Sequence, residues 1–384
     1  MLISKNLYFE NFKQKIKIKN LKNIFLNLIN EKNETINSLK INYKYSYPKK
    51  FLLKFRKFNQ INLIGMGGSI LGTKAIISFL DKKIKKQINF IDNLNFKKLS
   101  KNKNTLNVVI SKSGNTLETI SNVNIIINKK DKNIFITENT NNYLRHLASK
   151  LKSEIINHNN FIGGRYSVLS EVGMLPISLI GFNEKKFKQF NNLIKNKNFI
   201  NNLINNVSTI FHFSRKKNYN SIVLNYDEKS EDLFKWYQQL FAESLGKKQN
   251  GILPVISTMP KDNHSLMQLY LDGPKNNFFT FFDVVEKNSS KINNNKIFKK
   301  FEFLKNKDIF TIISAQKNAT KKVFLKKKIP FRCIQVQKRS EETLGELFSF
   351  FILETILLGK LMKINPYNQP SVELIKKETF KILK

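Results

Sequence analysis

Residues 108–120 read VVISKSGNTLETI, an apolar run that breaks into Ser111, Lys112, Ser113, Gly114 and Thr116 and then resumes with helical spacing. A strand ending near residue 110 would deliver three hydroxyls to the opening of a helix. Unpaired backbone N–H groups and the positive end of the helix dipole favour an anion there. Gly114 permits the positive φ of a tight turn, and Lys112 can add charge. The pattern outlines a phosphate cradle, although Ser and Thr are also ordinary capping residues and a lysine beside them can simply be solvated. A second turn, INLIGMGGSILG at residues 61–72, places Gly67, Gly68 and Ser69 behind another short apolar run. It is not a P-loop, because no Gly-Lys-Ser/Thr follows at the required spacing. It also lacks the third glycine of a dinucleotide fingerprint, and Asp92 is a poor acidic partner for one, so no nicotinamide cofactor is expected. Two strand-to-helix turns of one parallel sheet meet where open α/β sheets bind ligands, so both turns are expected to serve one phosphorylated ligand.

Further along, Glu243 follows Gln239 by one helical turn in QQLFAESLGK, which puts a carboxylate and an amide on one face. A partly desolvated carboxylate can act as a proton shuttle, but spacing alone favours a surface helix glutamate. His264, one of four histidines, sits in DNHSLMQLYLDGP behind an aspartate suited to cap a helix. Imidazole is the side chain suited to exchange protons near neutral pH, yet a lone histidine at a helix start is often only a surface group. Arg165 follows Gly163 and Gly164, so a permanently charged guanidinium could face an oxyanion or close a loop on carbonyls or Glu171. Gln369 and Lys376 lie near the C-terminus; lysine is so common here that its type carries no information.

The segments GMGGSILG (65–72), SKSGNTLET (111–119), GGRYSVLSEVG (163–173), ESLGK (243–247), DNHSLMQLYLDGP (262–274) and NQPSVELIK (368–376) occur in this order. Together they resemble the glucose-6-phosphate isomerase family in its short bacterial form. The resemblance implies reversible aldose–ketose isomerisation of glucose 6-phosphate and fructose 6-phosphate through a cis-enediol(ate), serving glycolysis and gluconeogenesis, without cofactor or metal. It also implies the roles. Glu243 is the proton shuttle, His264 and Lys376 assist ring opening, and Arg165 stabilises the enediolate. Gly67, Gly68, Ser69, Ser111, Lys112, Ser113, Thr116, Gln239 and Gln369 hold the substrate and its phosphate. A homodimer is implied, with His264 entering the site from the neighbouring subunit. Departures are mild: Ser113 stands where many members have Thr, and Asn368 where many have Asp. Two alternatives keep the fold but change the outcome, a bifunctional phosphoglucose/phosphomannose isomerase and a noncatalytic sugar-phosphate-binding protein.

These residues need a scaffold, and the 384-residue chain with 41% hydrophobic content is large enough for two domains. Parallel strands are expected at 62–64, 88–91, 107–110 and 134–137, alternating with helices at 69–80, 116–127 and 141–151. After an Asn-rich stretch at 183–206, a second series is expected at 222–224, 253–257, 279–285, 309–314 and 331–336. Helices at 231–245, 263–271, 319–327 and 341–362 separate those strands. The pattern gives two α/β halves with mainly parallel sheets, and the resemblance to the isomerase family implies that they are two sugar-isomerase-type (SIS) α/β/α sandwiches. The expected division is an N-terminal helical arm at 1–50, a first domain with the phosphate cradle at 51–200, a second at 201–364, and a C-terminal active-site segment and helix at 365–384. Residues 312–322 faintly echo the phosphate cradle, which hints at duplicated halves. The net charge of +39 reflects lysines scattered through every segment, without an arginine-rich arm or zinc-finger spacing, so no specific nucleic-acid partner is expected. That field should still draw a doubly charged sugar phosphate inward at low salt. The single Cys333 excludes an intramolecular disulfide, the N-terminus shows no secretory pattern, and the apolar stretch at 348–362 is interrupted by Glu354 and Lys360. A cytoplasmic protein without a membrane span is expected.

Overall fold

A computed structural model describes residues 2–94, 104–216 and 220–384. A short strand β1 (Leu7–Glu10) opens the fold. The first sheet is built from β2 (Gln60–Gly65), β3 (Gln87–Ile91), β4 (Thr105–Ile110), β5 (Lys132–Glu138) and β6 (Glu154–His158), in spatial order β3-β2-β4-β5-β6 and parallel throughout. The second sheet contains β7 (Asn220–Asn225), β8 (Leu253–Thr258), β9 (Asn277–Val284) and β10 (Phe331–Val336), again mutually parallel. β1 adds to its edge antiparallel to β10, giving β1-β10-β9-β7-β8. Helices cover both faces of each sheet, the expected α/β class.

Side-chain alternation explains the layering. In β2, Ile61 and Leu63 join Leu106, Val108 and Ile110 of β4 under Leu52, Phe55 and Leu175, whereas Ile64 and Val109 face Val123 and Leu144 on the other side. The asparagine-rich composition is absorbed inside this sheet. Asn62, Asn89, Asn107 and Asn133 stand in register on β2, β3, β4 and β5, and each amide donates to the next: Asn89 to Asn62 at 2.9 Å, Asn62 to Asn107 at 2.8 Å, Asn107 to Asn133 at 2.9 Å. Buried amides cost little when every one is matched in this way.

The structure corrects several expected elements. Residues 309–314 form no strand; they begin the helix Ile309–Lys326, because Asp308 caps the backbone N–H of Thr311 at 2.8 Å and Ser289 accepts from that of Phe310 at 3.0 Å. Local β-branched preference yields to the cap and to β10 pairing directly with β9. The echo at 312–322 therefore lies wholly inside a helix. The N-terminal arm is not purely helical: besides helices Leu21–Asn30 and Glu34–Leu39 it carries β1, which buries Leu7 and Phe9. β6 was not expected, and the Asn-rich stretch is helical in three pieces, the turns Glu184–Phe187 and Phe190–Leu193 and the start of the helix Lys197–Arg215, whose Phe199, Leu203 and Val207 are buried.

The helix Glu341–Leu361 is buried nearly all round and forms the centre of the largest apolar cluster. Glu354, which interrupts its apolar run, is fully buried and paired with Arg332 of β10. Nearer its start, Glu346 accepts from Ser4 Oγ at 2.6 Å, and burial, together with nearby Glu342, pushes its carboxyl up to about 7. An acid raised in the folded state holds its proton between about pH 4.5 and 7 while the unfolded chain releases it, so stability falls as pH rises through that window. Glu346→Gln keeps the acceptor for Ser4 and abolishes the titration. It is expected to stabilise the fold by on the order of 2 kcal/mol at pH 8 and by nothing at pH 4. Urea unfolding at both pH values checks this, and equal gains at both would refute it. Among the described residues, no helix is long and apolar enough to cross a membrane.

Candidate active site

Both glycine-bearing turns leave the carboxyl ends of neighbouring strands, where Gly65 of β2 pairs with Ile110 of β4. Gly114 has φ +65°, and a Cβ there would lie 1.9 Å from Asn142 Oδ1, so only glycine fits. The turn folds Ser111 and Thr116 together, their hydroxyl oxygens 2.9 Å apart. Thr116 caps the helix Leu117–Ile126 in an extended conformation, yet its side chain makes no bond to the first turn. The first-turn donors are thus left by Thr116 for a ligand. Ser113 is exposed and accepts from the Asn115 N–H at 3.3 Å. Lys112 is drawn sideways, donating to the Asn160 carbonyl at 2.8 Å and pairing with Glu138 at 3.3 Å.

The Gly67–Ser69 turn closes the site from another direction. Gly67 has φ +52°, and a Cβ on it would meet Gln239 Nε2 at 3.0 Å; a Cβ on Gly68 would approach the Gly164 carbonyl carbon to 2.2 Å. The first sheet's turn thereby abuts both the Arg165 loop and the helix Glu231–Leu245. Arg165 is 1% exposed and all three of its nitrogens are engaged. Nε donates to Ser244 Oγ at 2.7 Å, Nη1 to Gln369 Oε1 at 2.9 Å, and Nη2 to the carbonyls of Pro366 at 2.6 Å and Asn368 at 3.2 Å. Nη1 also lies 3.0 Å from Glu243 Oε1, while Gln239 Nε2 donates to Glu243 Oε2 at 2.9 Å. Both carboxylate oxygens are therefore fixed, with the side chain still 24% exposed. Gln239 Oε1 is buried without a partner among the described residues, an acceptor available to a hydroxyl donor.

Glycine spacing and the Gln239–Glu243 turn were legible in the sequence; two supporting groups were not. Ser244 Oγ accepts from Arg165 and hydrogen-bonds Tyr166 Oη at 2.8 Å, locking the guanidinium. Lys247 donates to the carbonyls of Glu243 at 3.0 Å and Ser244 at 2.7 Å, closing the helix C-terminus. Burial, and then the neighbouring Arg165 charge, pushes the Lys247 amine down to about 8. Its place one residue beyond Gly246 at a helix end was the available signal. Arg165 does bind carbonyls, as its loop-closing reading allowed, but Glu171 is not its partner. Glu171 instead accepts from the Asn159 N–H at 2.6 Å and from Tyr43 Oη at 2.9 Å.

Arg165, Gln239, Glu243, Gln369 and the Gly67–Gly68 turn come together in one chain; Lys112, turned to Asn160 and Glu138, does not join them, nor do His264 and Lys376. His264 ends the short helical turn Lys261–His264 after β8, exposed and without a hydrogen bond to Glu243 or Arg165. Lys376 lies on the exposed helix Val372–Leu383 and pairs with Glu373 at 2.6 Å.

A family model described as phosphoglucose isomerase matches residues 52–384. A glucose-6-phosphate isomerase of Methanocaldococcus jannaschii is 32% identical over 354 residues, 85% of this chain and 85% of that one. Another, from Mycoplasmopsis pulmonis, is 33% identical over 84% of this chain and 82% of its own. Among solved structures, a hypothetical protein from Thermus thermophilus superposes with a TM-score of 0.82 at 22% identity, covering 95% of this chain and 94% of that one. A glucose-6-phosphate isomerase from Chlamydia trachomatis gives 0.72 at 20% identity, covering 87% and 71%. At these identities the structures speak to fold alone.

Proposed function

The chain belongs to the phosphoglucose isomerase family, and from that premise we propose that Glu243 shuttles the proton in a site assembled between its two sheets. The reaction is the reversible isomerisation of glucose 6-phosphate and fructose 6-phosphate, an aldose–ketose conversion in glycolysis. After ring opening, Glu243 takes the C2 proton of the open-chain aldose. The C2–H electron pair becomes the C1–C2 double bond as the C1 carbonyl pair moves to O1, giving a cis-enediolate; the O2 proton passes to O1, and the same carboxyl returns its proton to C1 as the C2 carbonyl forms. The observation that carries this reading is the double tether of Glu243. Arg165 holds one oxygen and Gln239 the other, beside a backbone turn that only glycine can form. Arg165 places a cationic charge against the base and the developing oxyanion.

Ser111 and Thr116 bind the phosphate with the first-turn amides of the helix behind them, Ser113 adding a hydroxyl at the rim. Replacing both hydroxyls, Ser111→Ala with Thr116→Val, is expected to raise KM for fructose 6-phosphate roughly 10-fold or more, because two hydrogen bonds to a charged group are lost. An unchanged KM in steady-state kinetics would remove the cradle from the site. His264 and Lys376 assist ring opening, His264 from a neighbouring subunit in a homodimer; its exposure in the single chain agrees with that role. The cytoplasm is the expected compartment.

The test is turnover of fructose 6-phosphate by the purified chain in a glucose-6-phosphate-coupled assay, with mannose 6-phosphate assayed in parallel. Turnover of fructose 6-phosphate supports the isomerase, mannose 6-phosphate turnover would reveal the bifunctional variant, and binding without turnover would point to a sugar-phosphate binder. Mixing Glu243→Gln with His264→Asn protein is expected to restore activity that neither has alone, since each mixed dimer keeps one intact composite site; no recovery after subunit exchange would refute the shared site.

A further inference from the structure

A second cavity, of about 500 Å³, opens at the amino ends of β9 and β10 and contains none of the active-site residues. It lies on the opposite face of the second sheet from the Glu243 helix: Tyr270 and Phe279 belong to the apolar cluster on one face, Leu240 and Phe241 to that on the other. Its size suits a small organic ligand. Its apolar lining includes the half-buried Ile329 and Pro330, with Phe279 buried beneath. The polar side chains that reach it are already engaged. Tyr270 Oη hydrogen-bonds Ser257 Oγ at 2.7 Å, and Asn277 donates to the Pro274 carbonyl at 3.3 Å while accepting from Asn220 at 2.8 Å.

The rim is cationic. Lys327 is neutralised by Asp272 at 2.5 Å, but Lys275 and Lys328, both exposed, have no ion pair among the described residues. Two ammonium groups without an ion pair, beside apolar side chains, favour a doubly negative ligand with a flat aromatic ring. A sugar phosphate alone fits less well, since it has no flat ring to cover the apolar side chains of the cavity.

The geometry points to a second ligand site in this cavity, specific for an organic phosphate with an aromatic body, of the size of a nucleoside monophosphate. The phosphate lies between Lys275 and Lys328, and the ring rests on Ile329 and Pro330. Lys328 has φ +56°, a conformation that suits glycine, so Lys328→Gly removes the ammonium while easing the backbone.

The test is calorimetric titration of the full chain with AMP in the presence of saturating fructose 6-phosphate and glucose 6-phosphate at equilibrium. One site is expected, weakened at least ~10-fold by Lys275→Glu with Lys328→Gly, and ribose 5-phosphate and inorganic phosphate are expected to bind at least ~10-fold more weakly than AMP. Isomerase turnover of the double variant should match the parent and so report an intact fold. Lys275→Ala alone, at an exposed loop residue, should lose part of the affinity if the double variant fails to fold. The proposal is overturned if AMP is displaced by substrate, if inorganic phosphate binds as tightly, if neither variant weakens binding, or if no heat appears at millimolar AMP.

Discussion

Glu243→Gln is expected to lower kcat for fructose 6-phosphate at least ~10²-fold while leaving KM within a few-fold of the parent. The amide has the shape of the carboxylate but cannot accept the C2 proton. Its carbonyl oxygen still receives the Arg165 Nη1–H, which lies 3.0 Å from Glu243 Oε1. Its new NH₂ would face the amide nitrogen of Gln239, but Gln239 Oε1 has no partner among the described residues, so a flip of that amide turns the conflict into a hydrogen bond. The fold and the bound sugar should therefore survive, and the loss should appear in kcat alone. Coupled kinetics with a parallel unfolding curve decide it. Equal turnover in a folded variant would take Glu243 out of the chemistry, whereas a collapse of stability would show that the Arg165 pairing is mainly structural.

What the sequence made legible was the local chemistry of backbone turns. Gly114 and Gly67 both adopt the positive φ their motifs require, and Gln239 and Glu243 share a helix face as their spacing dictates. Strands with long apolar runs, such as β2, β4 and β5, were equally plain. What stayed hidden depends on distant partners. The asparagine ladder of the first sheet cannot be read from any one strand, since each amide is satisfied only by its neighbour in register. The helix at 309–326 looked like a strand because its first residues are β-branched and aromatic, and a side-chain cap outweighed that preference. Ser244 and Lys247 lay within a recognised segment, yet their function is to hold Arg165 and the helix end, contacts made across nearly eighty residues in the first case. For His264 and Lys376 the family resemblance, not the residue pattern, supplied the role.

Glu354 illustrates the same point with the largest expected effect on stability. In the sequence it is a charge that spoils an apolar helix; in the fold it is the counter-ion of Arg332, both side chains within 1% of full burial. Arg332 also donates to Thr280 Oγ1 at 3.0 Å and Asn206 Oδ1 at 3.2 Å, and lies near the rings of Phe12 and Phe350. The pair thus fastens β9, β10 and the helices Lys197–Arg215 and Glu341–Leu361 around one guanidinium. Glu354→Ala leaves that cation in an apolar interior with two neutral acceptors, and a loss of about 3–5 kcal/mol is expected from removing one partner of a buried ion pair. Replacing both, Arg332→Met with Glu354→Leu, removes the charge along with its counter-ion and should recover most of that loss, because the desolvation cost disappears too. Urea unfolding of the three variants measures the difference. A double variant as unstable as Glu354→Ala would mean that packing around Arg332, not its uncompensated charge, sets the cost.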